Sequence, residues 1–331
     1  IADGDWSSDV CSSDLVFHFI NGKFDYHQRV YRISDFSDSL DGYYFYLIFS
    51  RYFYNRIMSM TAKSSVDSVR MDMITEMEIP IPQKVEQEAI CKVLKNVDAH
   101  ISSLDQLFEK KRAIKKGTMQ QLLTGRKRLP EFSAPWKRDI LGNIGRLSKG
   151  QGISKNQLSS DGVPCILYGE IYTKYDYIVN AFESNISADE TWKATEVNPG
   201  DILFASSGET AEEIGKSIAF IGDRKAYAGG DIIISKPDNH DSKFLVYLLN
   251  SSSIREQIIK LAQGSSVFHI YPSGLQSIEL FLPSVPEQCA ISKVLEDMDK
   301  EIARIEKKKE KLEYIKQGLM QELLTGKTRL V

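Results

Sequence analysis

Lysines, arginines and aromatic residues fall together in several short polar stretches of this chain, beside hydroxyl and amide side chains. Lys149-Gly150-Gln151-Gly152-Ile153-Ser154-Lys155, Tyr172-Thr173-Lys174-Tyr175 and Arg224-Lys225-Ala226-Tyr227 have that make-up, and Lys216 follows Gly215 in a fourth. Cations of this kind neutralise phosphates, while Gln, Asn, Ser, Thr and Arg hydrogen-bond base edges. Ser206-Ser207-Gly208-Glu209-Thr210 and Gly264-Ser265-Ser266 are small-residue loops that let backbone approach a ligand closely. The candidate contacts to a polar, anionic target are Lys149, Gln151, Lys155, Tyr172, Lys174, Tyr175, Ser207, Thr210, Lys216, Arg224, Lys225, Tyr227, Ser265 and Ser266. His27, Gln28 and Arg29, in the polar stretch Tyr26–Arg29, join them. Any one of these residues alone reads more readily as a solvated surface side chain. The set points to such a target.

Other chemistry finds no support. Gly215-Lys216-Ser217 would need a glycine at position 210 to form a phosphate loop, and Thr210 stands there. Gly326-Lys327-Thr328 would need one at 321, where Gln321 stands, and it closes a helix where a strand-to-helix turn is required. His18, His27, His100, His240 and His269 are scattered and lack zinc spacing. There is no G-x-S-x-G elbow and no asparagine–proline–proline–aromatic motif; Asn198-Pro199-Gly200 reads as a turn. Cys11, Cys91, Cys165 and Cys289 form no C-x-x-C pair and read as reduced, cytoplasmic thiols. No catalytic set emerges.

The elements that must position the polar loops are signalled by a duplication. Residues 86–129 and 287–330 are two copies of one segment, offset by 201 (287 − 86), with 22 of 44 aligned residues identical. Ile114-Lys115-Lys116-Gly117-Thr118-Met119-Gln120-Gln121-Leu122-Leu123-Thr124-Gly125 matches Ile315-Lys316-Gln317-Gly318-Leu319-Met320-Gln321-Glu322-Leu323-Leu324-Thr325-Gly326. Ile90, Leu94, Val97, Ile101 and Leu104 recur at alternating steps of four and three, as do Ile291, Leu295, Met298, Ile302 and Ile305. That is a heptad seam. It then meets lysines (Lys110-Lys111, Lys307-Lys308-Lys309) and is expected to resume at Ile114 and Ile315. Gly125 and Gly326 suit the residue after a helix. About 38 residues at ~1.5 Å each make a rod of roughly 57 Å. Two matching rods favour pairing with each other over packing singly on their own domains.

Between the rods, Val163–Gly169, Gly200–Ala205, Ile218–Ile221 and Ile232–Ser235 read as strands, with Phe244–Leu249 and Ile254–Leu261 at helical spacing. The expected organisation is a first-domain segment at 16–85, a helix at 86–129, a second globular domain at 130–285 and a second helix at 286–331. The fold class is α+β. The chain of 331 residues, 42% hydrophobic and 26% charged, is long enough for two or three domains. Its net charge of −3 neither suggests nor excludes nucleic acid. No apolar run approaches the ~18–20 residues that span a bilayer, so no membrane partner is expected.

The opening residues have a different character. Asp5–Leu15 shows no period and resembles the in-frame translation of a sequencing-library adapter, so residues 1–15 are expected to be non-native. Shifted by 201, Phe19-Ile20 falls on Phe220-Ile221, Tyr26 on Tyr227, Tyr46-Leu47 on Tyr247-Leu248, and Ser64-Ser65-Val66 on Ser265-Ser266-Val267. The second copy begins near Pro130–Trp136, and 136 − 201 = −65, so the first domain is expected to be a remnant lacking its front.

Taken together these residues resemble the specificity (S, or HsdS) subunit of type I restriction–modification systems. The carriers are the duplicated Glu-Gln-x-Ala-Ile-x-Lys-Val-Leu helix start and Gly-x-Met-Gln-x-Leu-Leu-Thr-Gly helix end, with Gly162-Val163-Pro164, Gly169-Glu170-Ile171, Pro199–Leu203 and Gly22–Arg29. The resemblance covers residues 16–331. It implies target recognition domains of mixed α/β structure, each reading half of a split double-stranded DNA site and joined by two conserved helices that form an antiparallel coiled coil. It also implies methyltransferase (M) and restriction (R) subunits as partners, which would hold the S-adenosylmethionine, ATP and magnesium. This chain would bind no cofactor or metal and would be non-catalytic and cytoplasmic. The alternative is a coiled-coil scaffold whose domains bind protein; a standalone nuclease ranks last.

Overall fold

A computed structural model describes residues 15–60 and 69–330. The adapter-like residues up to Asp14 and the Ser64-Ser65-Val66 match lie outside the described residues. Three helices come first: α1 (Gly42–Met60), α2 (Met71–Thr75) and α3 (Lys84–Leu122). Strand β1 (Lys137–Ile140) and the short α4 (Leu141–Ile144) lead to β2 (Gly145–Lys149), β3 (Leu158–Ser159), β4 (Val163–Ile166) and α5 (Tyr168–Thr173). Then come β5 (Ile178–Val179), β6 (Ser184–Ile186), β7 (Thr195–Val197), β8 (Ile202–Ala205), β9 (Ser207–Gly208), β10 (Ser217–Phe220), β11 (Ala226–Ala228) and β12 (Ile232–Pro237). The chain continues through α6 (Ser242–Leu249), α7 (Ser252–Ile259), β13 (Phe268–His269), α8 (Pro272–Leu275), β14 (Glu279–Leu282) and α9 (Val285–Leu324).

These elements gather into two compact units, residues 1–109 with 303–331 and residues 110–302. Each long helix therefore supplies its two ends to different units, a division that cuts across the linear segments. In the second unit, β2-β12-β8-β10-β5 form one sheet and β3-β6-β4-β11-β7 another. The central strands are apolar on both faces, so they read as continuous runs rather than alternating ones. Alternation sorts them all the same. Ile202, Phe204, Ala219 and Ile233 share a core with α6, α7 and the start of α9. Leu203, Ala205, Ile218, Ile232 and Ile234 share the other with Ala226 and Ala228 of β11.

The first unit contains no strand among its described residues. Phe19 and Ile20 are exposed at 38% and 49%, whereas Phe220 is buried between β8 and β5. The expected correspondence therefore holds in sequence and not in structure: a strand forms where flanking strands complete its ladder. The offset also changes near α1. Asp41 accepts from the amides of Tyr43 and Tyr44 at 2.9 Å, and Asp241 caps α6 by accepting from Phe244 at 2.6 Å, so the two caps differ by 200. Tyr46 and Leu47 accordingly align with Val246 and Tyr247, one residue from the expected match.

Within each unit the two long helices run antiparallel. In the first, Lys316 pairs with Asp98 at 2.6 Å and Lys309 with Asp105 at 2.7 Å. In the second, Lys111 pairs with Glu301 at 2.7 Å, and Lys115 with Asp299. The seam carries both kinds of packing weighed from the sequence. Ile90 and Leu94 share a core with α1 and with Leu323-Leu324; Ile291 and Leu295 share one with α6 and with Leu122-Leu123. Leu104 and Ile305 are buried, while Val97, Ile101, Met298 and Ile302 are half-buried. One expectation needs correcting. Ile114 and Ile315 are exposed at 45% and 42%, so the seam does not resume there. It continues unbroken through Lys115 and Lys316, whose apolar stems can line a seam when a carboxylate receives the head group. Lys115 also lies over the rings of Tyr177 and Tyr247 at 4.4 and 5.4 Å.

A buried glutamine at the head of each helix ties it to the preceding segment. Gln288 donates to the Pro283 carbonyl at 3.0 Å and accepts from the Asp241 amide at 3.0 Å. Gln87 does the same with Pro82 and Asp41, both at 2.8 Å. Gln288→Leu would strand both backbone groups, each worth about 1–3 kcal/mol when buried without a partner. The expected result is a lower urea midpoint for the second unit at unchanged slope; an unchanged midpoint would show that the clamp does not stabilise.

Candidate nucleic-acid interface

The two small-residue loops meet in space. After β8 the chain enters β9, which pairs antiparallel with β13 in the register Ser207↔His269 and Gly208↔Phe268. Ser207 Oγ and His269 Nδ1 are 2.8 Å apart, and the Ile270 amide donates to the Ser206 carbonyl at 3.0 Å. This ribbon sets Glu209 and Thr210 beside Ser265 and Ser266, all exposed. Gly264 has φ +129°, and the Val267 carbonyl oxygen stands where a Cβ would have to lie, so no larger residue fits the turn.

Several candidates turn out to support this ribbon from within. Tyr172 donates its hydroxyl to the Ser207 carbonyl at 2.8 Å, and burial pushes its pKa up. Lys216 donates to the carbonyls of Tyr175 at 2.6 Å and Tyr172 at 3.5 Å, and burial pulls its pKa down. Tyr175 accepts from the Glu183 amide at 2.9 Å and packs edge-on against Phe182. Lys174 lies between Glu170 at 2.9 Å and Glu183 at 3.0 Å, hydrogen bonds that hold its pKa up. Ser207 is buried as well. These five side chains are engaged by the protein itself.

The loop after β2 adjoins the ribbon through Asp231. Its carbonyl accepts from the Ser206 amide at 2.8 Å, and its carboxylate lies 4.0 Å from Lys149 Nζ. Gln151 and Lys155 are exposed on this loop. Gln157 anchors it by donating to Glu190 at 2.7 Å. Arg224, Lys225 and Tyr227 lie elsewhere on the unit. Lys225 is held by Glu196 of β7 at 3.0 Å, Tyr227 belongs to a core beside Cys165, and Arg224 is 84% exposed at its side chain. His27, Gln28 and Arg29 are exposed in the first unit, in a turn where the Arg29 amide donates to His27 Nδ1 at 3.2 Å.

Three residues escaped the sequence reading. His269, which in sequence is one of five scattered histidines, closes the ribbon. Arg255 donates to the Glu212 carbonyl at 2.7 Å and so ties the 209–215 loop to α7. Trp192 is 78% exposed, with Lys193 Nζ 4.9 Å from its ring centre. Only Trp192 had a readable signal, an aromatic ring in a polar stretch.

The model of one family, described as the type I restriction modification DNA specificity domain, matches residues 8–115 and 134–314. The type I restriction enzyme MjaVIII specificity subunit of Methanocaldococcus jannaschii is 26% identical over 292 residues, covering 83% of this chain and 67% of that one. A putative MjaX specificity subunit from the same organism is 27% identical over 312 residues, covering 88% and 69%. Among solved structures, the S subunit of a type I restriction–modification system from M. genitalium superimposes with a TM-score of 0.53 at 18% identity, over 86% of this chain and 73% of that one. A chain from a study of assembly in a type I system gives 0.53 at 16% identity, over 85% and 70%. These structural likenesses speak to the fold.

Lys216→Met removes the donor shared by the Tyr172 and Tyr175 carbonyls. Amide exchange over residues 172–177 should quicken, while the 150–157 loop keeps its protection. Unchanged exchange at 172–177 would mean that Lys216 does not hold that segment.

Proposed function

The chain belongs to the type I restriction modification DNA specificity family, matched over most of its length, and we propose that it is a non-catalytic subunit that reads a DNA sequence for such a system. The observation that carries this is the ribbon of the second unit. The second unit's sheets and α7 hold a small-residue turn pair whose outer surface carries the Thr210, Ser265 and Ser266 hydroxyls together with the Glu209 carboxylate, with an exposed Gln and Lys loop beside it. Ser265, Ser266 and Gln151 are exposed polar groups of the kind that read base edges, and Thr210 is exposed beside them with its hydroxyl accepting from the Glu213 amide at 3.3 Å. Lys155 and Arg224 suit phosphates, which fix register without carrying sequence. Tyr172 and Ser207 serve as the frame behind them, Lys216 ties the Tyr172 and Tyr175 carbonyls, and Lys174 and Tyr175 are engaged by Glu170 and Glu183.

The chain would act by position. The antiparallel helices would present the recognition surface of the second unit, which would engage its half of a split site. Methyltransferase subunits, with S-adenosylmethionine, and restriction subunits, with ATP and magnesium, would perform the chemistry in the cytoplasm. Among the described residues, no helix is long and apolar enough to cross a membrane. The family match weighs against the protein-binding scaffold.

Fluorescence anisotropy with a labelled 30-base-pair duplex tests the reading. Affinity should fall linearly on a log–log plot against salt, because bound cations displace condensed counterions. Lys155→Met should lower that slope by about 0.9, the amount expected for one phosphate contact, whereas Lys216→Met should leave it unchanged. A chain with no salt-dependent duplex binding would return the scaffold to first place.

A further inference from the structure

The duplication provides an internal control for which surface residues the fold requires. Along α9, the side chains turned inward are Ile305, Lys309, Leu312 and Lys316, buried or half-buried, with Lys309 and Lys316 paired to Asp105 and Asp98. On one exposed flank of the helix Arg304, Lys308 and Lys311 follow at steps of four and three, with Lys307 beside them on the side away from the seam. All four are exposed, and none has an ion pair or side-chain hydrogen bond among the described residues. The carboxylates of this stretch, Glu306, Glu310 and Glu313, fall on the other flank of the helix, so the charges are segregated rather than interleaved. On α3 the equivalent positions, 201 earlier, are Ser103, Gln106, Leu107 and Lys110. One cation stands where α9 has four. Since α3 forms the same helix and joins the same pairing without them, the extra three cations are not demanded by the fold.

We infer that the outward face of α9 from Arg304 to Lys311 is a second DNA contact, one that binds the phosphate backbone without reading bases. This rests on the DNA-reading function proposed above. The occupant follows from charge complementarity. Residues seven apart on a helix span ~10 Å, and a duplex presents one phosphate per strand every ~3.4 Å along its axis. A strip of that length faces about three phosphates of one strand. Lysines and arginine on an exposed helix, with no aromatic ring stacked among them and no hydroxyl or amide between, have the means to neutralise phosphates and little with which to distinguish bases. The contact would thus add affinity equally to every sequence and would fall on α9 rather than on α3.

The test compares the full chain with a variant carrying R304Q, K307Q, K308Q and K311Q, by anisotropy against two unrelated 30-base-pair duplexes over a salt series. The expected result is a slope lower by about 2.7, at roughly 0.9 for each of about three phosphates no longer neutralised, with both duplexes weakened by the same factor. A second variant, K307R/K308R/K311R, should keep the wild-type slope, and circular dichroism should show the same helix content in all three. Slopes equal within one unit in wild type and Gln variant would overturn the contact, as would weakening confined to one duplex. A wild-type chain that shows no salt-dependent binding at all would instead sink the DNA-reading function on which it rests.

Discussion

A glutamate with almost no exposed surface needs a cation, and that need governs how the long helices meet. Glu287 and Glu86 are 0% and 2% exposed at the heads of α9 and α3. Each receives an arginine from just beyond the end of the other helix, Arg128 at 2.5 and 2.7 Å and Arg329 at 2.5 Å through both nitrogens. A planar guanidinium meeting a carboxylate with two parallel bonds fixes geometry as well as charge. The arginines arrive there because the helices end at glycines in the left-handed region, Gly125 at φ 68° and Gly326 at φ 69°. The amides of Lys127 and Thr328 then fold back onto the Gln121 and Glu322 carbonyls, both at 3.1 Å. One glycine turn, one arginine and one glutamate thus specify antiparallel pairing, and the duplication supplies the set once to each unit.

The polar residues inside the seam reinforce that register. Asp98 and Asp299 are equivalent in the repeat, as are Lys115 and Lys316, and the structure pairs them crosswise between the helices. A shift of one helical turn would leave each lysine facing apolar side chains and each aspartate without its cation. Buried polar contacts of this kind are better at selecting one arrangement than at adding stability. Tyr247 extends the node into the recognition unit by donating to Asp299 at 2.6 Å. The helix pair and the α6 side of the domain are therefore oriented by the same carboxylate.

What was legible in the sequence follows from how locally each element is determined. The strands β8, β10 and β12 were readable because burial on both faces gives unbroken apolar runs, and α6 and α7 because their apolar spacing is helical. The long helices were readable twice over. The ribbon of β9 and β13 was not, since two-residue strands have no period and exist only through Ser207 meeting His269 across 62 residues. Tyr172 and Lys216 have the right residue types for a contact, and only the fold shows that their polar atoms are taken by Ser207, Tyr172 and Tyr175 carbonyls. Composition identifies a polar surface; burial decides which of its members face outward.

The misplaced seam at Ile114 and Ile315 carries the same lesson in reverse. A hydrophobicity pattern treats lysine as a break and looks for the next isoleucine. Lysine, however, has four methylenes before its charge, and its place in a seam depends on what stands across from it. Lys115 is buried because Asp299 and the faces of two tyrosine rings receive its ammonium. Lys307, Lys308 and Lys311 have no such partner among the described residues and stay in solvent. The same residue type therefore serves two ends within a few turns of one helix family, and the discriminating information is carried by the facing chain. Recurrence between the two copies does not replace it: Lys115 and Lys316 recur and turn inward, yet Lys110 and Lys311 also recur and both stay exposed, so the aspartate across the seam decides.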